Sequence, residues 1–327
     1  MGLYSNKMLF RAFSLHREII FPALPDGFGG FLRIFAQTGN KMLKLQTKVE
    51  CGTSPVRLSY SDGVMLLGSC FADNIGARMS DAGFDVCVNP FGTLYNPVSL
   101  SDAAGRLESG TPFTEADCVE MGAGAGLVCS FHHHTSFARK TPEEFLAAAN
   151  ASLAAAHERW RGAGLVILTL GTAYCFRHLE SGLVVSNCLK RPAREFARER
   201  LSVSGTQDIL RKLVDSFPDK RFILTVSPIR HMGDGAHANQ LSKGSLLLAA
   251  DAVADGKRIV YFPAYEIVMD ELRDYRFYAE DMVHPSAQAV DYIWERFIDF
   301  ALPEGERQTL IDNMKACRCK QHRPMAR

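Results

Sequence analysis

A serine at a strand-to-helix turn is the first residue in this sequence whose surroundings suggest chemistry. Ser69 lies in Met65-Leu-Leu-Gly-Ser-Cys-Phe-Ala72, where a short apolar run ends in glycine and a helical pattern begins. There, free backbone N–H groups and the positive end of the helix dipole can stabilise an oxyanion. Taken alone, the position favours a helix N-cap, which serine commonly provides. Cys70 is the other candidate nucleophile, and we expect it to point into the core as a small apolar residue.

Asp281 and His284 are candidates for the acid–base chemistry that such a nucleophile needs. They occur in Asp281-Met-Val-His284-Pro-Ser286, just before a predicted helix. A serine hydroxyl needs a base within hydrogen-bond reach, and the base needs an acceptor that fixes its tautomer. Asp-x-x-His is common, and the two residues alone could equally be a turn residue and a helix-start residue. Together with Ser69, the pair predicts a serine hydrolase with Ser69 as nucleophile, His284 as base and Asp281 as the orienting carboxylate.

Other chemically capable residues have less specific surroundings. Arg230 and His231 follow a predicted strand, and they either contact an anionic or polar group of the substrate or form a surface pair. In His132-His133-His134, neighbouring residues of a strand would face opposite sides, and no carboxylate or cysteine lies at ligand spacing. We therefore expect no metal and no cofactor, and interpret these histidines as part of a lid. A metal-dependent hydrolase through His132 and His134 is the less favoured alternative.

Five short apolar runs predict the strands that position these residues. Their continuous apolar character is typical of strands buried on both faces; they are 64–67, 84–88, 165–170, 222–226 and 259–262. Helical patterns follow them at 71–82, 142–161, 207–217, 240–254 and 286–302. The alternation predicts a three-layer α/β/α sandwich around a mostly parallel five-stranded sheet. The polar residues that follow the strands would converge on one edge of that sheet, where ligands bind.

Two segments interrupt the alternation, and two others flank it. Residues 174–188 contain two alternating runs around Glu180-Ser-Gly182, which predicts an inserted hairpin. Residues 101–140 are irregular and predict a lid-like insertion. We interpret 1–41 as a disordered extension or a mis-called translation start, 42–302 as the catalytic domain, and 303–327 as one helix followed by a tail.

Bulk composition excludes several classes of protein. The 327 residues, 47% of them hydrophobic, suffice for a sizeable α/β core. The formal net charge of +1 does not suggest nucleic acid as a partner. No apolar run approaches the roughly 18 residues that span a bilayer, so no membrane is expected either. Nine cysteines without a CxxC pair, and no convincing secretory signal, predict reduced thiols and a cytoplasmic location.

The motifs also resemble those of a known family. Gly68-Ser-Cys-Phe-Ala72 is similar to the name-giving motif of the GSCFA family, and the resemblance continues through 89–97, 170–173, 225–231, 239–243, 261–266, 270–279 and 284–286. That family in turn resembles the SGNH (GDSL-like) hydrolases, which are three-layer, flavodoxin-like esterases with a serine early in the chain and Asp-x-x-His late. The resemblance implies Ser69, His284 and Asp281 as the catalytic residues.

The resemblance also implies the donors of an oxyanion hole. The backbone N–H of Gly92 would join that of Ser69. The third SGNH block usually carries Gly-x-Asn, but this sequence has Gly171-Thr-Ala173, with alanine in place of asparagine. Thr172 or another asparagine would have to replace this donor; the candidates are Asn74, Asn89 and Asn187. Otherwise the hole lacks one donor, which can cost roughly 10²–10³ in rate.

These observations predict a serine-dependent ester hydrolase that acts on a small-molecule or glycan ester. Its specific form would be a carbohydrate or glycan O-acyl esterase. An acyltransferase that uses the same residues is the nearest variant. The alternative from another class is a non-catalytic protein that binds a glycan or an acylated ligand, which the missing asparagine favours.

Overall fold

Ten strands and eight α-helices are present in residues 46–321, the part of the chain that the computed structural model describes. The strands are β1 Gly63–Gly68, β2 Val86–Val88, β3 Val119–Glu120, β4 Val128–Cys129, β5 Ala163–Leu170, β6 Tyr174–His178, β7 Val184–Val185, β8 Phe196–Arg200, β9 Arg221–Val226 and β10 Ile259–Phe262. The helices are α1 Cys70–Asp81, α2 Pro97–Ser109, α3 Pro142–Gly162, α4 Val203–Asp215, α5 Ala236–Val253, α6 Ala264–Glu266, α7 Ala287–Ala301 and α8 Arg307–Gln321.

The central sheet has five parallel strands in the order β10-β9-β5-β1-β2. Strand β1 lies between β2 and β5. The chain that leaves β1 leads to β2 on one side, whereas the chain that leaves β5 leads towards β9 on the other side. The loops after these two strands therefore diverge and open a crevice at the carboxyl edge of the sheet. Gly68, the last residue of β1, is in register with Thr169 of β5.

Apolar side chains alternate along the inner strands and pack against helices on both faces of the sheet. Leu66 and Ile167 pack with Phe71 of α1 and Trp294 of α7. Met65 and Leu168 face the other way, into a core that includes side chains of α2, α3, α4 and α5. The predicted three-layer α/β/α architecture with a parallel five-stranded sheet is confirmed.

The predicted elements of the sheet agree with the structure to within a few residues. The run 259–262 coincides with β10, whereas β2 begins at Val86 because the Phe84 N–H is still bound to Met79 O in the turn after α1. Helix α4 begins earlier than predicted, since Ser202 caps it by accepting from the Gly205 N–H.

Helix α2 overturns part of the predicted irregular segment 101–140. Asn96 caps it, Pro97 occupies its first turn, and Gly110 ends it at a φ of 61°. These are ordinary helix boundary signals. Residues 101–109 therefore belong to a helix packed on the core, and only the remainder contains short strands and turns.

The predicted hairpin at 174–188 forms, and it is larger than expected. Strand β6 pairs antiparallel with β7, and β8 adds a third strand on the other side of β6. A helix also follows Pro303, as α8. The segment 1–41 lies outside the described residues. Within 46–321, no helix is both long enough and apolar enough to cross a membrane.

Candidate active site

A cavity of about 380 Å³ opens at the carboxyl edge of the sheet, beside the crevice between β1 and β5. Predicted residues that line it are Thr172, Arg230, His231 and His284, together with the alternative nucleophile Cys70. The remaining predicted residues, Ser69, Gly92, Asn89 and Asp281, are not part of its lining. The structure therefore brings half of the predicted residues together at the cavity lining, with a different nucleophile candidate facing the cavity.

Asp281 and His284 form the predicted pair. Asp281 Oδ2 lies 2.6 Å from His284 Nδ1, and Oδ1 accepts the N–H groups of Val283 and His284 at 2.9 and 3.0 Å. Hydrogen bonds from the His284 N–H, the His284 ring and the Val283 N–H lower the Asp281 pKa to about 2. The ionised carboxylate thus holds the Nδ1 proton, which leaves Nε2 as the basic nitrogen of a residue that lines the cavity.

Arg230 anchors the loop that carries this pair. Its backbone N–H donates to Val283 O at 3.1 Å, and its Nη1 donates to Met282 O at 2.9 Å. Met282 has a positive φ of 56°, an unfavourable conformation for a non-glycine residue. The Ala279 N–H closes the base of the loop by donating to His284 O at 2.7 Å. Arg230 therefore positions His284 in addition to lining the cavity.

Ser69 acts as the N-cap of α1. Its Oγ accepts the Phe71 N–H at 3.3 Å, and the side chain is buried, with 1% exposure. Its own N–H donates to Thr169 O at 3.3 Å, so the turn is tied to β5. Gly68 before it permits this approach, because a Cβ there would overlap the Thr169 carbonyl. Ser69 Oγ thus caps α1, as expected for this position taken alone, and its role as nucleophile stays a prediction.

Cys70 is half-buried: it packs against the core beside Phe71, as expected, and it also lines the cavity together with His284, which was not expected. The physical reason is helix phase: successive residues differ by roughly 100°, and Phe71 takes the core-facing direction. Burial and the charge of Asp73 raise the pKa of the Cys70 thiol, while the N–H groups of Cys70 and Phe71 and the charge of Lys243 lower it. The thiol pKa is raised overall, so the resting group is a thiol, and the N–H groups at the amino end of α1 only partly offset the effect of burial.

The Gly92 N–H is engaged elsewhere than in the predicted oxyanion hole. It donates to Asn89 O at 2.7 Å within a tight turn. The Asn89 side chain is likewise committed, since Oδ1 accepts the Gly68 N–H at 2.8 Å and Nδ2 donates to Asp73 Oδ1 at 2.6 Å. Both residues brace the β1–α1 turn in this structure, and neither offers a free donor to the cavity.

The segment that replaces the SGNH asparagine is also fully engaged. Thr172 Oγ1 accepts the Tyr174 N–H and lies 3.0 Å from Ser242 Oγ. Ala173 is fully buried, and its N–H donates to Ser242 Oγ at 2.8 Å. Asn187 Oδ1 accepts the Leu189 N–H, and neither Asn187 nor Asn74 lines the cavity. Because the Phe71 N–H donates to Ser69 Oγ, the Cys70 N–H is the donor beside the sulfur that is best placed for an oxyanion.

His231 and Lys243 add two buried nitrogen groups next to the cavity. His231 Nε2 is buried and has no hydrogen-bond partner among residues 46–321, and burial and the charge of Lys243 lower the His231 pKa to about 4. Lys243 is 1% exposed, and its Nζ donates to Gly171 O and Ser227 O at 2.7 Å each. Burial lowers the Lys243 pKa to about 7. His231 is thus neutral at physiological pH, and Lys243 titrates near it.

A family model described as the GSCFA family matches residues 63–297, which is more than half of the chain. The chain belongs to the GSCFA family. The matched range includes Cys70, His284 and every other residue of the cavity lining. No curated protein sequence matches this GSCFA protein.

Two solved structures are similar to this GSCFA protein at low identity. One is an acetyl xylan esterase from the rumen bacterium Butyrivibrio proteoclasticus, with 10% identity and a TM-score of 0.36; the match covers 77% of this chain and 65% of that one. The other, from Corynascus thermopiles (Myceliophthora fergusii), is a carbohydrate esterase family 2 enzyme with a carbohydrate-binding domain. It has 13% identity and a TM-score of 0.33, with 83% and 69% coverage. The chain therefore spans slightly less than two thirds of the first of these proteins.

The three adjacent histidines of the GSCFA protein have separate environments. His133 is buried among phenylalanine rings, with Nδ1 2.7 Å from Ser130 Oγ, and burial lowers its pKa to about 3. His134 Nδ1 accepts the Ser136 N–H, and His132 lines a different cavity. Within residues 46–321, no three His, Cys, Asp or Glu side chains form a group that could hold a metal ion. The metal hypothesis thus lacks the additional ligand that it requires.

Sequence reasoning missed Tyr95, Asn96 and Lys243 as residues of the site. Tyr95 and Asn96 line the cavity, and Asn96 also caps α2 by accepting the Ser99 N–H at 2.9 Å. A family motif, 89–97, contained both of them. Lys243 also fell in a motif, 239–243, but a lysine in a helical pattern is ordinarily exposed. Its neighbours in the chain, Ser242 and Gly244, gave no signal that its amine lies beneath the sheet edge.

Proposed function

We propose that this GSCFA protein is a hydrolase of ester bonds in which Cys70 is the nucleophile, His284 the general base and Asp281 its orienting carboxylate. One observation carries the proposal. Cys70 and His284 line the same cavity, and an ionised carboxylate holds the other ring nitrogen of His284. A nucleophile, a base and an orienting group around one cavity are the parts that acyl transfer requires.

The reaction proceeds in two steps. His284 Nε2 takes the Cys70 proton while the sulfur attacks the ester carbonyl, and the oxyanion forms beside the N–H group of Cys70. The C–O bond then breaks, and the protonated His284 returns the proton to the leaving alcohol. In the second step His284 deprotonates a water that attacks the thioester, which releases the carboxylic acid and restores the thiol.

The raised pKa of Cys70 makes the base necessary. Burial keeps the resting thiol protonated, so a nucleophilic thiolate forms only as His284 accepts the proton. An ester carbonyl is also electrophilic enough for a sulfur nucleophile. If an alcohol replaced water in the second step, the same residues would carry out acyl transfer.

The cavity lining supports a short acyl group on a hydroxyl-rich alcohol. Aromatic Tyr174 and Phe176 project from β6 on one side. Opposite charges from Arg198 and Asp234, which form an ion pair, and the amide of Asn96 supply polar contacts. A long acyl chain would need a deeper apolar channel than this mixed lining provides. The proposed substrate is therefore a carbohydrate or glycan ester, or a small polar ester.

A non-catalytic binding protein is the competing function. If serine were the only available nucleophile, the buried Ser69 cap would favour a binding protein. Cys70 at the cavity supplies another nucleophile, and binding alone does not require an Asp281–His284 pair. The buried alanine at position 173 is compatible with hydrolysis only if the amino end of α1 supplies the oxyanion donors.

Replacing Cys70 and its neighbour Ser69 in turn tests which of them is the nucleophile. Cys70→Ala is expected to lower kcat/KM for 4-nitrophenyl acetate by about 10³-fold or more, because the nucleophile is lost. Ser69→Ala is expected to retain most activity and to lose about 1 kcal/mol of stability, because a helix cap is lost. Cys87→Ala, at a half-buried cysteine outside the cavity, is the matched control and should behave as wild type. An acetyl adduct on the Cys70 peptide, detected by mass spectrometry after rapid acid quench, would identify the intermediate.

The opposite pattern would restore the serine assignment: an inactive Ser69→Ala protein that folds normally, alongside an active Cys70→Ala protein. If both variants hydrolysed the ester at the wild-type rate, the protein would not be a hydrolase of this kind.

A further inference from the structure

A second cavity, of about 310 Å³, adjoins the first one at Arg230, which lines both. Its other polar and aromatic lining residues include Asn239, Gln240, Arg273, Tyr275 and Tyr278. Three of these belong to the motif 270–279, to which the proposed hydrolysis assigns no role. The Arg230 side chain therefore stands between the candidate catalytic cavity and a neighbouring space.

The two amides of this second cavity are oriented as donors. Asn239 is buried, with 4% exposure, and its Oδ1 accepts the His231 N–H at 2.9 Å. Gln240 Oε1 accepts the Tyr265 hydroxyl at 2.7 Å. With both oxygens engaged, the NH₂ groups remain, and neither has a hydrogen-bond partner among residues 46–321. Donors without a partner at a cavity wall favour a ligand that accepts hydrogen bonds.

The charged groups of the lining are mostly cationic. The Arg230 guanidinium lies 5.9 and 5.4 Å from the ring centroids of Tyr275 and Tyr278, and within residues 46–321 no carboxylate forms an ion pair with it. Arg273 pairs with Asp270 at 3.5 Å, but both side chains are largely exposed, so this pair is weak. The carboxylate of the lining, Asp274, turns towards Arg276: Oδ1 accepts the Arg276 N–H at 2.9 Å, and Oδ2 lies 3.6 Å from Nε.

The backbone that presents Arg273 is strained. Residues Ile267–Leu272 form a π-helical turn, and Arg273 follows it in the left-handed region with φ 35° and ψ 38°. Both features are unfavourable for non-glycine residues and are concentrated at functional sites. These backbone features indicate a binding role, and they are independent of the evidence from the donors and charges of the lining.

We propose that this second cavity binds an anionic group, a carboxylate or a phosphate, that the substrate carries beyond its ester. The inference rests on the proposed hydrolysis at Cys70. One substrate would place its ester carbonyl at Cys70 and its anion across Arg230, between Arg273 and the amides of Asn239 and Gln240. Charged acceptors suit guanidinium and amide donors better than neutral hydroxyls do.

Two acetyl esters that differ only in a carboxylate test the proposal: 4-acetoxybenzoate and its neutral methyl ester. For the wild type, KM should be at least about fivefold lower for the carboxylate, as expected for charge-assisted hydrogen bonds. Arg273→Gln should reduce this KM ratio by about threefold or more, because one cation is lost. Lys257→Gln removes an exposed charge that lies outside the lining of both cavities, and should leave the ratio unchanged.

Equal KM values for the two esters in the wild type would overturn the proposal. So would equal effects of Arg273→Gln and Lys257→Gln, because long-range charge would then explain the preference. Calorimetric binding of benzoate to the Cys70→Ala protein separates the site from the chemistry. If neither ester is hydrolysed but benzoate binds and Arg273→Gln weakens it, the hydrolase proposal fails and the anion site stands. Binding of inorganic phosphate without benzoate binding or a KM difference would indicate a free-anion site and contradict a substrate-borne group.

Discussion

The amine of Lys243 is buried and has no access to bulk water. The side chain is 1% exposed, and Nζ donates to two backbone carbonyls at the ends of β5 and β9, Gly171 O and Ser227 O. A neutral amine has two N–H donors, which matches these two acceptors. Burial lowers the pKa of Lys243 to about 7 for the same reason, since the charged form loses its hydration.

This lowered pKa predicts a pH-dependent contribution to stability. Between pH 7 and the ordinary lysine value of about 10.4, the unfolded chain binds a proton at position 243 that the folded chain does not. The free energy of unfolding therefore gains about 2 kcal/mol from this residue between pH 7 and pH 9. Lys243→Met should lack that gain, on top of a pH-independent loss from two unpaired carbonyls.

Urea unfolding of the wild type and Lys243→Met at pH 7, 8 and 9 measures the effect as a difference between the two proteins. Lys257→Met, at an exposed lysine, is the control and should follow the wild type at each pH. A wild-type-minus-Lys243→Met difference that stayed constant over this range would show that Lys243 is charged throughout.

The sequence alone could not decide which of Ser69 and Cys70 caps α1 and which lines the cavity. Both residue types can be nucleophiles, and they are adjacent at the start of one helix. Phe71 packs into the core, and the Cys70 side chain before it therefore turns to the cavity. Ser69, which precedes the helix, lies where its oxygen accepts the N–H of Phe71. A one-residue change in where α1 begins would exchange the two roles.

At the scale of elements, the turn after β2 braces the site from behind. Asn89, at a φ of 44°, links β1 to α1 through its side chain, and Gly92 closes the turn at a φ of 79°. The His134 N–H, which donates to Phe91 O, brings the His134 side chain against Gly92. His134 thus supports the turn, and the turn supports strand β1, which ends just before Ser69.

Gly92→Ala should consequently be strongly destabilising. An added Cβ would overlap the His134 Cβ, and the positive φ is unfavourable for alanine. We expect a loss of about 2–3 kcal/mol, measured by urea unfolding. Gly105→Ala is the matched control: Gly105 lies on the exposed face of α2 with open space around it, and alanine there should stabilise by about 0.5–1 kcal/mol. Similar stability of the two variants would contradict the role given to the turn.

At the scale of the whole molecule, α8 packs near the carboxyl end of α1, and none of its residues lines the cavity. Leu310 packs into the core shared by α1 and α7, and Asn313 Nδ2 donates to Ala82 O at 3.0 Å. Ala82 lies at the carboxyl end of α1, about 18 Å from its amino end at 1.5 Å per residue. The helix therefore contributes to stability at a distance from Cys70.

Removal of residues 307–327 tests this separation. We expect the free energy of unfolding to fall by about 2–4 kcal/mol, mainly from exposing Leu310 and its neighbours, with ester hydrolysis preserved. Removal of 322–327 alone is the control and should change neither property. Loss of hydrolysis in a longer truncation that still unfolds cooperatively would show that α8 acts on the site.

The sequence by itself determined the features that depend on local pattern. Continuous apolar runs specified the five strands of the central sheet, of which β2, at the edge, is half-buried and not buried as predicted. Turn residues marked the hairpin at 174–188, and the spacing of Asp281 and His284 predicted a pair that the structure forms. Motifs along 63–297 identified the family. Helix α2 was also readable, from Asn96, Pro97 and Gly110, but the irregular residues after it concealed these signals.

Only the tertiary structure decided which groups face the cavity and which are engaged elsewhere. Helix phase and the packing of Phe71 place Cys70, and not Ser69, at the cavity. Hydrogen bonds between residues far apart in the chain engage Asn89 and Thr172, and bury Lys243 under the sheet edge. The direction of a side chain depends on which neighbours the fold brings to it, and these contacts come from other strands and helices. A pattern of residue types along one segment does not contain them.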